Sequence, residues 1–113
     1  VSASNPRRAY VDGFALRIGL RATLVVEPKA RAYGMILSLT HDDLDRLYGA
    51  PGLELYKPEA VLAHSLDGDP YPALCYNLRT APGPDEANPD YAERLRAALR
   101  KRGFPAAYIS SVS

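Results

Sequence analysis

The stretch Ala60-Val61-Leu62-Ala63-His64-Ser65-Leu66-Asp67-Gly68-Asp69-Pro70-Tyr71-Pro72-Ala73-Leu74-Cys75-Tyr76-Asn77-Leu78 reads as two strands joined by a tight turn. An extended run from Leu55 to His64 leads into Asp67-Gly68, a strong hairpin signal because glycine tolerates the positive φ that such turns need. From Pro72 to Leu78 the side chains alternate, with Leu74, Tyr76 and Leu78 on one face and Ala73, Cys75 and Asn77 on the other. A lone hairpin is not stable in water, so the chain must supply more strands. They lie toward the N-terminus. Phe14, Leu16, Ile18 and Leu20 alternate with Ala15, Arg17, Gly19 and Arg21, which predicts a strand with one face buried. Thr23 to Val26 is β-branched and apolar and predicts a second strand or a continuation past a bulge. Glu27-Pro28-Lys29 is expected to end it, since proline cannot donate to a ladder. Tyr33 to Leu39, apolar on both faces, predicts a central strand. No strand is expected before Phe14, and Val1 to Pro6 reads as a loose lead-in.

Two helices complete the pattern. Thr40-His41-Asp42-Asp43 places a hydroxyl at an N-cap and acids in the first turn, where the helix dipole favours them. Leu44, Leu47 and Tyr48 then share a face, and Gly49-Ala50-Pro51-Gly52 ends the helix. Thr80 to Ala87 reads as a loop. Asn88-Pro89-Asp90 opens a longer helix, with an Asn cap and proline at its first position. Tyr91, Leu95, Ala98 and Leu99 are its expected apolar stripe, Gly103 its end, and Pro105 the start of a short final turn through Tyr108 and Ile109. About five strands, a short central helix and a longer C-terminal helix predict an α+β fold with a largely antiparallel sheet or barrel.

Composition narrows the function classes. The 113 residues suit one domain, which buries roughly two thirds of its unfolded surface without staples. A 47% hydrophobic and 24% charged chain reads as an ordinary globular protein. Fourteen Lys and Arg against thirteen Asp and Glu give a net charge of +1, which argues against a general nucleic-acid binder. No apolar run approaches the ~20 residues of a membrane span, and no signal peptide is visible. With one cysteine an internal disulfide is impossible, so the cytoplasm is the default compartment.

Few residues invite chemistry. His41 and His64 are isolated and Cys75 has no nearby partner, so no metal and no cofactor is expected. Cys75 is a nucleophile or a buried strand residue, and the lack of a nearby histidine favours burial. The basic run from Arg94 to Arg102 reads as a solvated helix face. Eight tyrosines against two phenylalanines and no tryptophan stand out. Tyr33, Tyr56, Tyr76 and Tyr91 either line a pocket with their hydroxyls or pack half-buried with the hydroxyls in water, and the pattern alone favours packing.

An ordered set of segments resembles the γ-glutamylcyclotransferase-like family, which includes the AIG2-like proteins. It comprises Ala32-Tyr33-Gly34-Met35-Ile36-Leu37-Ser38-Leu39-Thr40, Leu44-Asp45-Arg46-Leu47, Tyr56 opening a strand, Ala73-Leu74-Cys75-Tyr76-Asn77-Leu78, Tyr91, and Gly103-Phe104-Pro105-Ala106-Ala107-Tyr108-Ile109. It spans roughly Ala9 to Val112. The resemblance implies one γ-glutamylcyclotransferase-like domain over residues 1–113, a small mixed, mostly antiparallel β-barrel with flanking helices. It also implies cyclisation of a γ-glutamyl amine or amide to 5-oxoproline. In such enzymes a Tyr-Gly-Ser-Asn-type loop after the first strand holds the substrate carboxylate, and a Glu just after the short helix moves the proton. Here that first strand and loop are missing from the chain as given, and Pro51 stands where the Glu belongs, a residue with no proton to move.

The nearest carboxylate is Glu54, which shares parity with Tyr56 if the strand begins by Glu54, and is therefore the candidate catalytic residue. Glu59 has the opposite parity and is expected to face away. The resemblance carries substrate contact onto Tyr33, Gly34, Tyr56, Tyr76 and Tyr91. The implied partner is a small amino-acid-like ligand, without nucleic acid or membrane. An open barrel edge also predicts self-association into a homo-oligomer, or cover by residues 1–10. The alternative is a family member without the chemistry, keeping the barrel as a small-ligand or protein-binding module.

Overall fold

The computed structural model describes residues 4–49 and 53–113. Four strands form one antiparallel sheet: β1 (Ser4–Ile18), β2 (Ala22–Ser38), β3 (Tyr56–Ser65) and β4 (Pro70–Leu78), in the spatial order β2-β1-β3-β4. Among the described residues three helices accompany the sheet, α1 (His41–Tyr48) between β2 and β3, and α2 (Pro89–Lys101) and α3 (Ala106–Ser111) after β4, with a 3-10 turn at Leu53–Leu55. The α+β class and the antiparallel pairing agree with the sequence reading.

The strands differ from expectation in two instructive ways. Residues before Phe14 are no lead-in: β1 starts at Ser4 and is the strand between β2 and β3. Glu27-Pro28-Lys29 does not end a strand either. Asp12 pairs with Arg31 and Phe14 with Val26, so the residues from Glu27 to Ala30 bulge out opposite Gly13. β2 is an edge strand, and at a bulge on an edge proline forfeits no ladder bond. Gly13, at φ +85°, occupies the left-handed region the bulge imposes on the facing strand. What reads as two strands in sequence is therefore one long bent strand.

The caps hold as expected. The Asp43 N–H donates to Thr40 Oγ1 at 3.1 Å, and the Tyr91 N–H to Asn88 Oδ1 at 3.1 Å. Gly103, at φ +78°, closes α2, and Arg8 from β1 donates to the carbonyls of Arg102 and Gly103 at that negative helix end. The stripe of α2 is shifted from its expected position. Ala92 and Leu99 are buried and Leu95 half-buried, whereas Ala98 and Tyr91 face solvent, Tyr91 being 36% exposed. Ala92 and Leu99 join Ile18, Phe104, Ile109 and Val112 in the core between the helices and one side of the sheet.

The other side of the sheet curls. The end of β4 swings back to the start of β2, and Asn77 makes the join. Its Oδ1 accepts from the Leu24 N–H at 3.0 Å and from Thr23 Oγ1 at 3.3 Å, while the Leu78 N–H donates to Thr23 Oγ1 at 2.9 Å. Asn77 is only 2% exposed and Thr23 is buried, so these bonds form away from water, where leaving either group unpaired is costly.

Candidate functional site

The concave side of the curl is floored by very small residues. Ala9 pairs with Gly34 on one side and Ser65 on the other, and Val11 likewise with Ala32 and Ala63. Ala9, Ala32 and Ala63 are each 3% exposed. Strand neighbours of this kind bring their Cβ atoms to the same face, and alanine fills little of the space above it. A cavity of about 530 Å³ results, closed at one side by Leu44 and Leu47 of α1. That size suits a small organic ligand.

Polar groups on this wall are few. Arg7 and Tyr71 form one end, the Arg7 guanidinium lying over the Tyr71 ring at 4.4 Å from its centroid. Cys75 and Tyr76 contribute on β4. Behind Cys75 lies a polar cluster: its thiol donates to Asn77 Oδ1 at 3.4 Å, and Asn77 Nδ2 donates to Glu59 Oε1 at 3.1 Å. Burial, then the charge of Glu59, push the Cys75 thiol up from its ordinary value. At neutral pH it is a thiol and no ready nucleophile, in keeping with the strand-residue reading.

A second cavity of similar volume lies under the loop before α2, lined by Arg17, Glu86 and Arg96 among others. Its charged groups are already engaged. Glu86 accepts from the Leu20 and Gly83 N–H groups, Arg17 donates to the Pro82 carbonyl, and Arg96 donates to Val112 and Glu93. This polar cement fastens the loop and the C-terminus and presents little to a ligand.

The sequence candidates scatter across the fold. Gly34 belongs to the cavity floor and Tyr76 to its wall. Tyr33 touches the wall, but its ring is committed to Tyr10, Phe104 and Tyr108, at centroid distances of 6.0, 6.2 and 4.9 Å. Tyr56 donates its hydroxyl to the Ala22 carbonyl at 3.0 Å and acts as a brace between β3 and β2. Tyr91 sits exposed on α2. Glu54 lies exposed in the 3-10 turn, and because β3 starts only at Tyr56 the strand-parity argument does not reach it. Pro51 lies outside the described residues.

One expectation is overturned. Glu59 does not face away, because the inward face of β3 is the odd-numbered one: Glu59 and Val61 are half-buried and Ala63 and Ser65 buried, while Ala60 and Leu62 are exposed. Outward-facing Leu62 and Leu74 are 53% and 59% exposed, so hydrophobicity alone picks the wrong side. The readable signal was size: alanine, serine and cysteine alternate on the inward face, and bulky leucines on the other. Arg7, Tyr71 and Asn77 carried no motif and were missed for that reason.

No family model matches the sequence, and no curated protein matches it. Solved structures do match. A structure described as "Gamma-glutamyl cyclotransferase" superposes with a TM-score of 0.82 at 18% identity, over 99% of this chain and 76% of that one. The uncharacterized human protein loc79017 gives the same figures. The Arabidopsis thaliana protein At5g39720.1 gives a TM-score of 0.63 at 17% identity, over 91% of this chain and 80% of that one. The chain therefore carries the γ-glutamylcyclotransferase-like fold.

Proposed function

We propose that this protein acts on a γ-glutamyl amine or amide, releasing the amine and closing the glutamyl part to 5-oxoproline. The observation that carries the reading is the conjunction of that fold, over nearly the whole chain, with a ligand-sized cavity on the concave side of its sheet. The reaction is an intramolecular aminolysis. The α-amine attacks the γ-carbonyl carbon, a ring C–N bond forms, and the original amide C–N bond breaks. One proton leaves the attacking nitrogen and one reaches the departing amine, so a single carboxylate can serve as base and then as acid.

Two carboxylates compete for that role. Glu54, the expectation from sequence, follows α1 closely but sits in an exposed turn. Glu59 is on the inward face, half-buried beside the cavity-wall residue Cys75, with one oxygen accepting from Asn77 Nδ2. A half-buried carboxylate held in place by a hydrogen bond is a better proton carrier than one in an exposed turn, and the reading takes Glu59. The test is release of 5-oxoproline from γ-glutamyl dipeptides and γ-glutamyl amines. Glu59→Gln is expected to abolish it while Glu54→Gln leaves it within about threefold, since general acid–base groups typically contribute ~100-fold or more. Product formation indifferent to both substitutions would remove both residues from the mechanism. No product from any γ-glutamyl compound would favour the second reading, a binding module, which Pro51 in place of the family's Glu supports.

A further inference from the structure

Arg7 is an anomaly in its surroundings. It projects onto the wall of a cavity whose floor is alanine and glycine, and its Nε is buried without a hydrogen-bond partner. Among the described residues no carboxylate pairs with it; the ion pairs there are Arg31 with Asp12 and Arg96 with Glu93. Tyr71 supplies its ring face and no counter-charge. A guanidinium nitrogen withdrawn from water without a partner is costly, and a bidentate anion would resolve it. The planar guanidinium, held flat by the ring, presents its remaining N–H groups in the fork that matches a carboxylate.

We propose that Arg7, stacked on Tyr71, is the carboxylate anchor of this cavity, and that the cavity selects small carboxylates with an apolar body. The second half follows from the walls. Beyond the anchor the ligand meets Ala9, Ala32, Ala63, Val61 and Leu44, which reward apolar area and offer nothing to a second charge. Resting on the reaction proposed above, this makes the substrate a γ-glutamyl conjugate of an apolar amine, its α-carboxylate on Arg7 and its amine-derived part on the alanine floor. The anchor is made by this chain's own β1 and β4, and so requires no residue outside the described ones.

Calorimetric titration with 4-phenylbutyrate, 4-phenylbutanamide and acetate separates the parts of the claim. None carries the α-amine that would attack a γ-carbonyl, so binding is read independently of turnover. The acid is expected to bind wild type at least about tenfold more tightly than the neutral amide, and than acetate, which has the charge without the body. Arg7→Gln is expected to erase the advantage of the acid over the amide, and Arg7→Lys to keep part of it. If Arg7→Gln fails to fold, the comparison of acid with amide on wild type still decides, and Tyr71→Leu, which keeps the charge, is expected to weaken the acid several-fold. Equal binding of acid and amide, or an Arg7→Gln protein that keeps the preference, overturns the anchor. A preference for the acid without 5-oxoproline formation would leave the anchor standing and remove the cyclotransferase reading.

Discussion

Replacing Asn77 by alanine attacks the bond set that curls the sheet. The amide makes four contacts at 2% exposure: it accepts from Leu24 N–H, Thr23 Oγ1 and Cys75 Sγ and donates to Glu59 Oε1. Alanine leaves the Leu24 N–H as a part-buried donor without a partner, at about 1–3 kcal/mol. Thr23 retains its bonds to Leu78 and to the Leu24 carbonyl, so it adds little. Glu59 is half-buried and regains water, so its loss sits near the low end, about 1 kcal/mol. Together the substitution is expected to cost about 3 kcal/mol. For a domain of this size that lowers Tm by roughly 12 °C. Urea unfolding checks it: the midpoint falls and the slope stays, because the surface exposed on unfolding hardly changes. A double-mutant cycle with Thr23→Val is expected to show coupling of about 1 kcal/mol, as the two side chains share one network. An Asn77→Ala protein within about 0.5 kcal/mol of wild type would refute the reasoning, because the curl would then be held by something other than this residue.

Three further outcomes follow from individual contacts. Glu59→Gln removes the second cause that raises the Cys75 thiol, so the pH midpoint of alkylation by iodoacetamide is expected to move down; an unmoved midpoint would remove Glu59 from the causes of that shift. Glu86 is held below its ordinary carboxylate range by the Gly83 and Leu20 N–H groups, so its stabilisation is present above that range and lost as pH falls through it. Thermal melts of Glu86→Gln and wild type should therefore differ at pH 7 and converge as the pH is taken below the ordinary carboxylate range; a constant difference would contradict the assignment. Gly103→Ala places a side chain at φ +78° with its Cβ 3.1 Å from Arg8 Nη1, and is expected to cost about 1–2 kcal/mol in urea unfolding.

The turns and caps were readable from sequence because each rests on a few adjacent atoms. Asp67-Gly68, Thr40, Asn88 and Gly103 all do in space what their types demand. The long strands were harder. Pro28 marks an end only if the strand is internal, and sequence alone does not say that β2 lies on the edge. The inward placement of Glu59 runs against the expectation for a related reason. Leucine-rich and alanine-rich faces compete, and the small residues win the interior because β1 crosses closely there, Ala9 pairing with Ser65 and Val11 with Ala63. Arg7 was invisible because its distinction is the absence of an anion around it, a property of the assembled curl.

The central claim is that a glutamyl-type ligand occupies the alanine-floored hollow of the sheet. Amide chemical-shift mapping of the isotope-labelled protein during titration with 5-oxoproline addresses it directly. The account predicts saturable shifts clustered at Ala9, Gly34, Ala63 and Ala73, with Arg7 side-chain resonances moving in step. Shifts confined to the Leu16, Ala92 and Arg96 side of the molecule, or none at all, would contradict it.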